Sequence, residues 1–348
     1  MPTDNPNLDR YTLRPATEDD LEAAVALFNL CSRALLGTPL VDTDYLANEW
    51  SAPAFELDRD TRCAFTSEGQ MVAYGEVWDT APHIVLYSWG RVHPEHRSLG
   101  LGNHLVTWQE ARARQALTMA PEGARVVLRQ GLRDEAKDAR DLLAAHGYEA
   151  VRHYLRMVID IDAPPLSPAW PPNLGGSRHL EVRTFNRDKD LPALIRADQD
   201  AFRDHWGFVL RPFEEELRDW GQRIDDDPHF DAELWFLAMD GDEIAGLCLC
   251  SNHVIEDPEM GWITTLGVRR PWRRRGLGLA LLHHAFAELH RRGKQRVGLS
   301  VDAESLTGAT RLYEKAGMHV DRVRHTYQKE LRAGEDFTTQ ASTQSEVT

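Results

Sequence analysis

No stretch of about 18 consecutive apolar residues occurs in this chain, so no membrane-spanning helix is expected. Cysteine is scarce. The four present, Cys31, Cys63, Cys248 and Cys250, follow no metal-ligand spacing, and no metal site is expected. Cys248 and Cys250 alternate within "EIAGLCLC" and read as same-face strand positions. Isolated thiols predict a reducing cytoplasm and no structural disulfides. The opening "MPTDNPNLDRYTLRP" lacks the basic-then-apolar order of a secretory leader. Positive charge is in deficit: 40 Lys and Arg against 55 Asp and Glu leave a net charge of −15, which argues against nucleic acid as the main partner. Two nucleotide signatures are missing as well. No Walker loop is present, and a Gly-x-Gly-x-x-Gly fingerprint fails because Leu105 follows Gly100 and Gly102, and Leu281 follows Gly276 and Gly278.

What the chain does contain is itself, twice. At 348 residues it is too long for one typical core. "YTLRPATEDDLEAAVALFN" (11–29) resembles "LEVRTFNRDKDLPALIRAD" (180–198), each a short strand, a polar cap and an amphipathic helix, with Thr17 and Asn186 as N-cap candidates. "GQMVAYGEVWD" (69–79) matches "GDEIAGLCLCS" (241–251), and "DLLAAHGYEAVRHY" (141–154) matches "RLYEKAGMHVDRVR" (311–324). The offset is about 170 residues throughout, which implies two copies of one domain. The expected division is 10–162 for the first copy and 179–332 for the second. A Pro-rich linker occupies 163–178 and a disordered tail 333–348, with the first nine residues similar to that tail.

In the second copy the apolar, β-rich "GWITTLGV" (261–268) is followed by "RRPWRRRGLG". A helix with Leu281, Leu282, Ala285, Phe286 and Leu289 on one face then runs to Gly293. A helix start leaves N–H groups unpaired and carries partial positive charge. Glycines at 276 and 278 let an anion approach, and Arg273, Arg274 and Arg275 add charge, so a polyphosphate is the expected ligand of this turn. The first copy has the same order at Arg97, Gly100 and Gly102.

The spacing Arg-x-x-Gly-x-Gly after a strand ending in Val resembles the acetyl-CoA pyrophosphate loop of the GNAT superfamily of N-acetyltransferases. One such match is weak by chance statistics; two at equivalent places of a repeat are not. "VGLSVDAESLTGATRLYEKAGM" (297–318) is similar to the family's later strand, loop and helix. The resemblance covers about 11–157 and 180–332. It implies an α/β chain of the α+β type, with two tandem copies of a mixed, mostly antiparallel sheet flanked by helices. It also implies acetyl-CoA as co-substrate and direct acetyl transfer to a primary amine of a small molecule.

Residue by residue, the resemblance places the pantetheine arm beside Leu266, Gly267 and Val268. The pyrophosphate falls on Arg273, Arg274, Arg275, Gly276, Leu277 and Gly278, and a further cofactor contact on Ser305, where the family usually has Asn. Tyr313 matches the tyrosine that protonates the departing thiolate. The strand before the loop offers no carboxylate as a base; Glu256, Asp257 and Glu259 precede it. "AFRDHWGF" (201–208) lies where the family builds its acceptor site, which makes His205 the candidate base and Asp204 and Trp206 substrate-side candidates. Trp262 is a third: it stands where tandem members of this size, which acetylate a cysteinyl amine on a pseudodisaccharide, carry a substrate-facing Glu. The first copy has Leu143 in place of Tyr313, so it is expected to be non-catalytic, with Arg97, Gly100 and Gly102 left as a weaker CoA site. The competing class is a non-enzymatic acetyl-CoA sensor, which would bind acetyl-CoA and release no thiol.

Overall fold

The computed structural model describes residues 8–161, 180–305 and 308–339. The linker at 163–178 and most of the expected tail lie outside them. Two compact units emerge. The first comprises residues 8–152, 225–227 and 324–337, and the second the described residues among 153–224, 228–323 and 338–339.

The first unit begins with β1 (Thr12–Arg14), α1 (Leu21–Leu36), α2 (Thr43–Trp50) and α3 (Leu57–Asp60). A meander of β2 (Thr61–Phe65), β3 (Met71–Trp78) and β4 (Val85–Val92) follows. Then come α4 (Leu101–Gln115), β5 (Val126–Arg133), α5 (Lys137–Ala145) and β6 (Glu149–Asp160). The second copy repeats the order as β7 (Glu181–Thr184), α6 (Arg187–Phe202), α7 (Phe213–Asp226), β8 (Trp235–Asp240), β9 (Glu243–Ser251) and β10 (Met260–Val268). It closes with α8 (Leu277–Arg291), β11 (Arg296–Asp302), α9 (Ala309–Lys315) and β12 (His319–Arg332). Neighbouring strands of each unit pair antiparallel except β4 with β5 and β10 with β11, which are parallel.

One feature departs from the division read in the repeat. The last strand of each copy serves the other unit's sheet: β6 pairs antiparallel with β11 from Tyr154 to Asp160, and β12 pairs with β5 from Arg324 to Arg332. Met157 of β6 is fully buried among second-unit side chains, so the exchange is part of that core. The start of the expected disordered tail is also held. The Glu335 amide donates to the Gly123 carbonyl (2.8 Å), and Arg125 Nη1 to Asp336 (3.0 Å).

In each unit a local ion pair fixes how the first strand enters the first helix. Arg14 is bidentate to Asp20 (2.6 and 2.8 Å) and Arg183 to Asp190 (2.6 and 2.8 Å). Asp20 also accepts from the Thr17 amide and hydroxyl, and these donors hold its pKa down at about 2. Asn186 caps α6 by accepting from the Lys189 amide (3.2 Å). In the second unit the period-2 alternation of the strands divides the core. Phe236, Ala238, Cys248 and Cys250 pack with α8 and α9, whereas Leu237, Met239, Leu247 and Leu249 pack with α6 and α7. Cys248 and Cys250 thus share a face, and all four cysteines are free and buried.

The first unit buries a carboxyl that forms no ion pair with a described residue. Glu76 on β3 accepts from the Tyr74 hydroxyl (2.8 Å) and the Trp78 indole (3.0 Å), and burial pushes its pKa up to about 7. Between its ordinary range and about 7 the folded chain holds a proton that the unfolded chain has lost. Stability therefore falls as pH rises through that window and stays reduced above it. Glu76→Gln is expected to stabilise the protein by about 2 kcal/mol at pH 8, raising the melting temperature by about 5 °C, with little change at pH 5. Thermal melts at the two pH values check this.

Candidate active site

The turn after β10 is built by dihedral angles that its residues tolerate unequally. A 3₁₀ turn (Arg270–Trp272) leads to Arg273 in extended conformation (φ −67°, ψ 159°), Arg274 at φ +61° and Gly276 at φ +86° as the N-cap of α8. The left-handed Gly276 is where glycine is needed. The first unit repeats the path after β4: Arg97 at φ −67°, ψ 160°, Ser98 at +59° and Gly100 at +96°. In both, alternating backbone conformations ahead of a helix N-terminus form a concave set of amide donors suited to an oxyanion. A Cβ at Gly278 would meet Leu312 at 3.3 Å and one at Gly102 would meet Leu142 at 3.0 Å, so these glycines admit the neighbouring helices α9 and α5.

The arginines separate into two groups. Arg269 binds Asp200 (2.9 Å), and Arg270 binds Asp204 through Nε (2.8 Å) and a second donor. Arg273 donates to the carbonyls of Val268 (2.9 Å) and Ala201 (2.8 Å) and to Asp204 (2.8 Å). These three tie the turn to the end of α6, and the buried Trp272 anchors it through its indole to Asp240 (2.9 Å). Arg273 thus braces the turn, with Asp204 as its counterion. Arg274 and Arg275 are exposed and have no acidic partner among the described residues, which leaves them for a ligand. In the first unit Ser98 and Leu99 stand at their places, and Arg97 lies 3.9 Å from the exposed Asp138.

Upstream of the turn the strands part. β10 pairs with β11 only from Met260 to Ile263, opposite Arg296 to Leu299, although both strands continue. The distal half of β10 thus leaves its β11-side edge open to an extended ligand. Its register against β9 slips by one residue between Ile263 and Thr265, a bulge that kinks the strand at Thr264, whose hydroxyl donates to Leu249 O (2.9 Å). β4 separates from β5 in the same way after Ser88 opposite Gln130, yet its register against β3 runs without a slip.

The two faces of that distal half carry different groups. On the α6 face, a Cβ at Gly267 would meet Ala201 at 3.0 Å and Phe202 at 3.1 Å, and His205 lies one turn beyond with its ring edge-to-face on Phe202 (4.7 Å). Burial, with Arg273 adding to it, lowers the His205 pKa against the opposing pull of Asp302, so the imidazole is neutral near pH 7. On the α8/α9 face, Leu266 and Val268 pack against the cluster that contains Tyr313. Tyr313 is 7% exposed and makes no hydrogen bond to a described residue; burial, with Cys248 adding, raises its pKa and keeps it protonated. Leu143 occupies the equivalent place in the first unit and is fully buried.

The remaining candidates are placed as follows. Trp262 lies across Gly298 of β11, where a Cβ would collide with its ring, and under Arg156 (5.4 Å), so it packs on the sheet. Trp206 sits partly buried in the turn after α6. Ser305 caps the end of β11, its amide donating to Asp302 O (3.1 Å), and lines a shallow depression with Gly308, Thr310 and Arg311. Glu256 is paired with Arg156, Asp257 with Arg296 (2.8 Å), and Glu259 accepts from Gln295, so none of these loop acids is an unengaged base. The bulge and the Asp200 and Asp204 braces were not anticipated; for the braces, the only signal was two acids four residues apart at the end of a helix facing an arginine run.

Comparison with known proteins agrees with this fold. A model of the acetyltransferase (GNAT) family matches residues 192–318. The mycothiol acetyltransferase of Geodermatophilus obscurus is 31% identical over 65% of this chain and 68% of its own length. That of Thermobispora bispora is 29% identical over 86% and 93%. A GCN5-related N-acetyltransferase from Sphaerobacter thermophilus superposes with TM-score 0.76 at 35% identity, covering 95% of this chain and 99% of that one. A tandem GNAT protein from the clavulanic acid biosynthesis pathway shares the fold (TM-score 0.67, 15% identity, 93% and 100% covered). The chain belongs to the GNAT family, in its tandem form. It is an acetyl-CoA-dependent N-acetyltransferase.

Proposed function

We propose that the second unit transfers the acetyl group of acetyl-CoA directly to a primary amine of a small molecule. His205 acts as general base and Tyr313 as general acid. The observation that carries this reading is the division of the distal half of β10 between two faces: a neutral imidazole on one and a protonated phenol on the other. The amine approaches from the α6 face and gives its proton to His205. The phenol of Tyr313 protonates the thiolate that leaves on the opposite face. The amide donors of the turn with Arg274 and Arg275 hold the pyrophosphate, and the open edge of Leu266–Val268 pairs with the pantetheine arm.

The first unit, with Leu143, Ser98 and Leu99 at the corresponding places and an unbulged strand, takes no part in the chemistry. Location in the cytoplasm fits four free thiols, and no helix among the described residues is long and apolar enough to cross a membrane. The shared name of the relatives supports the amine of the mycothiol precursor, a cysteinyl amine on a pseudodisaccharide, as acceptor. Thiol release from acetyl-CoA across an amine panel tests the reading. Preference for that cysteinyl amine supports it, a different preferred amine moves the acceptor, and no release with any amine contradicts transfer.

The base has its own signature. Because burial lowers the His205 pKa, the imidazole stays neutral to a pH below the ordinary value of about 6.5, and the acid limb of kcat/KM lies there. His205→Gln is expected to cost about 10²-fold in kcat/KM and to remove that limb. A pH–rate profile that keeps the limb in the variant would assign the base elsewhere.

A further inference from the structure

The two copies fill the same part of the fold with different side chains. In the first unit Phe28 of α1 is fully buried, edge-to-face on Tyr74 (4.9 Å) and Trp89 (4.7 Å), and the Arg91 guanidinium lies over Trp89 (4.2 Å). In the second unit Asp198 of α6 takes the place of Phe28. Each stands eight residues after the aspartate that holds the first strand of its copy, Asp20 or Asp190. Thr265 takes the place of Trp89, each eight residues before the extended arginine of its turn, Arg273 or Arg97, and Gly267 takes that of Arg91. Two aromatic rings and a guanidinium are thus replaced by a carboxyl, a hydroxyl and a glycine on the α6 face of β10.

Asp198 occupies an apolar position of its helix. It lies four residues after the buried Leu194 and three before the buried Ala201, on the stripe that packs against the sheet, with Phe202 one turn further along and His205 beyond it. Its carboxyl is half-buried and makes no hydrogen bond or ion pair with a described residue. Nearby cations have other partners: Arg211 binds Glu216 (2.8 Å) and Asp219 (2.6 Å), Arg269 binds Asp200 (2.9 Å), and Arg196 lies over Phe213 (4.3 Å). Burial, with the negative charge of Glu216 adding to it, pushes the Asp198 pKa up to about 7. An unpaired carboxylate in a half-buried, apolar position is costly, and the first unit avoids that cost with Phe28. A cationic ligand seated beside Asp198 offsets it.

We propose that Asp198 is the specificity-determining contact for the acceptor: its carboxylate takes the incoming amine as an ammonium ion and turns away amines that carry a carboxylate beside the nitrogen. A charge-assisted hydrogen bond supplies the attraction, and like-charge repulsion supplies the discrimination. The favoured class is amines whose neighbouring carboxyl is absent or tied up in an amide, and free amino acids are disfavoured. In the first unit Phe28 and Trp89 close the same face, so that copy takes no amine there. The inference rests on the acetyl-transfer reading above for where the acceptor lies, and its test reads binding rather than turnover.

Calorimetric titration of the full chain, in excess CoA, with cysteamine and separately with L-cysteine decides it. The two probes differ by one carboxylate, and at about pH 8 Asp198 is ionised. Cysteamine is expected to saturate, and L-cysteine to bind roughly tenfold more weakly or worse. Asp198→Asn, which keeps the shape and removes the charge, weakens cysteamine by roughly tenfold or more and narrows the gap between the probes, with the melting temperature unchanged or raised. The proposal is overturned if cysteamine does not saturate, if the unsubstituted chain binds both probes equally, or if Asp198→Asn leaves the gap unchanged. Cysteamine binding that depends on Asp198, in a chain that acetylates no amine, would support this contact and contradict the acetyl-transfer reading. Acetylation of amines with no discrimination between the probes would overturn the contact alone.

Discussion

Tyr313→Phe is expected to lower kcat by about 10²–10⁴-fold while the affinity for acetyl-CoA and the melting temperature stay nearly constant. Only a hydroxyl is removed, and that hydroxyl makes no hydrogen bond to a described residue, so the fold loses little. The ring keeps its place in the cluster beneath Leu266 and Val268. What is lost is the proton for the leaving thiolate. Burial raises the Tyr313 pKa, so the donor is loaded across the working pH range and the loss is the same at pH 7 and pH 9. Steady-state kinetics with calorimetric binding separates the two parameters. A variant with unchanged kcat removes Tyr313 from the chemistry. One with weakened binding and unchanged kcat makes it a packing residue.

The double charge reversal R274E/R275E is expected to raise the KM for acetyl-CoA by about 10²-fold or more, with kcat at saturation changed little. Each charged hydrogen bond to a phosphate contributes about 1.5–3 kcal/mol, and exposure and salt reduce that, so two lost contacts amount to about 3 kcal/mol. Repulsion by the introduced carboxylates adds to it. Arg273→Gln behaves differently. It breaks three hydrogen bonds that hold the turn to Val268, Ala201 and Asp204, so it lowers stability as well as affinity. Initial rates against acetyl-CoA concentration, with thermal melts, distinguish arms from brace. Equal effects from all three arginines would dissolve the distinction.

How much of this was legible in the residues alone varies with the range of the interactions. The strand, turn and helix around Gly276 could be read because they rest on local chemistry: β-rich residues, a left-handed glycine and an apolar stripe at helical spacing. Cys248 and Cys250 share a face because strand alternation requires it. The arginines could be counted but not sorted. Which of five meets an acid depends on where α6 ends in space, and Asp200 and Asp204 are some 70 residues away in sequence. The exchange of β6 and β12 escaped for a related reason: a repeat shows that two strands are alike, and carries no sign of which sheet each one joins. The bulge at Thr264 is invisible in "GWITTLGV", since one extra residue in a ladder has no compositional mark.

Use of acetyl-CoA by the second unit is tested most directly by a calorimetric titration of acetyl-CoA into the full chain, read for stoichiometry. One site per chain is expected, lost in R274E/R275E and kept in Arg97→Glu. Two equivalent sites, or a single site that survives R274E/R275E and disappears with Arg97→Glu, would contradict it.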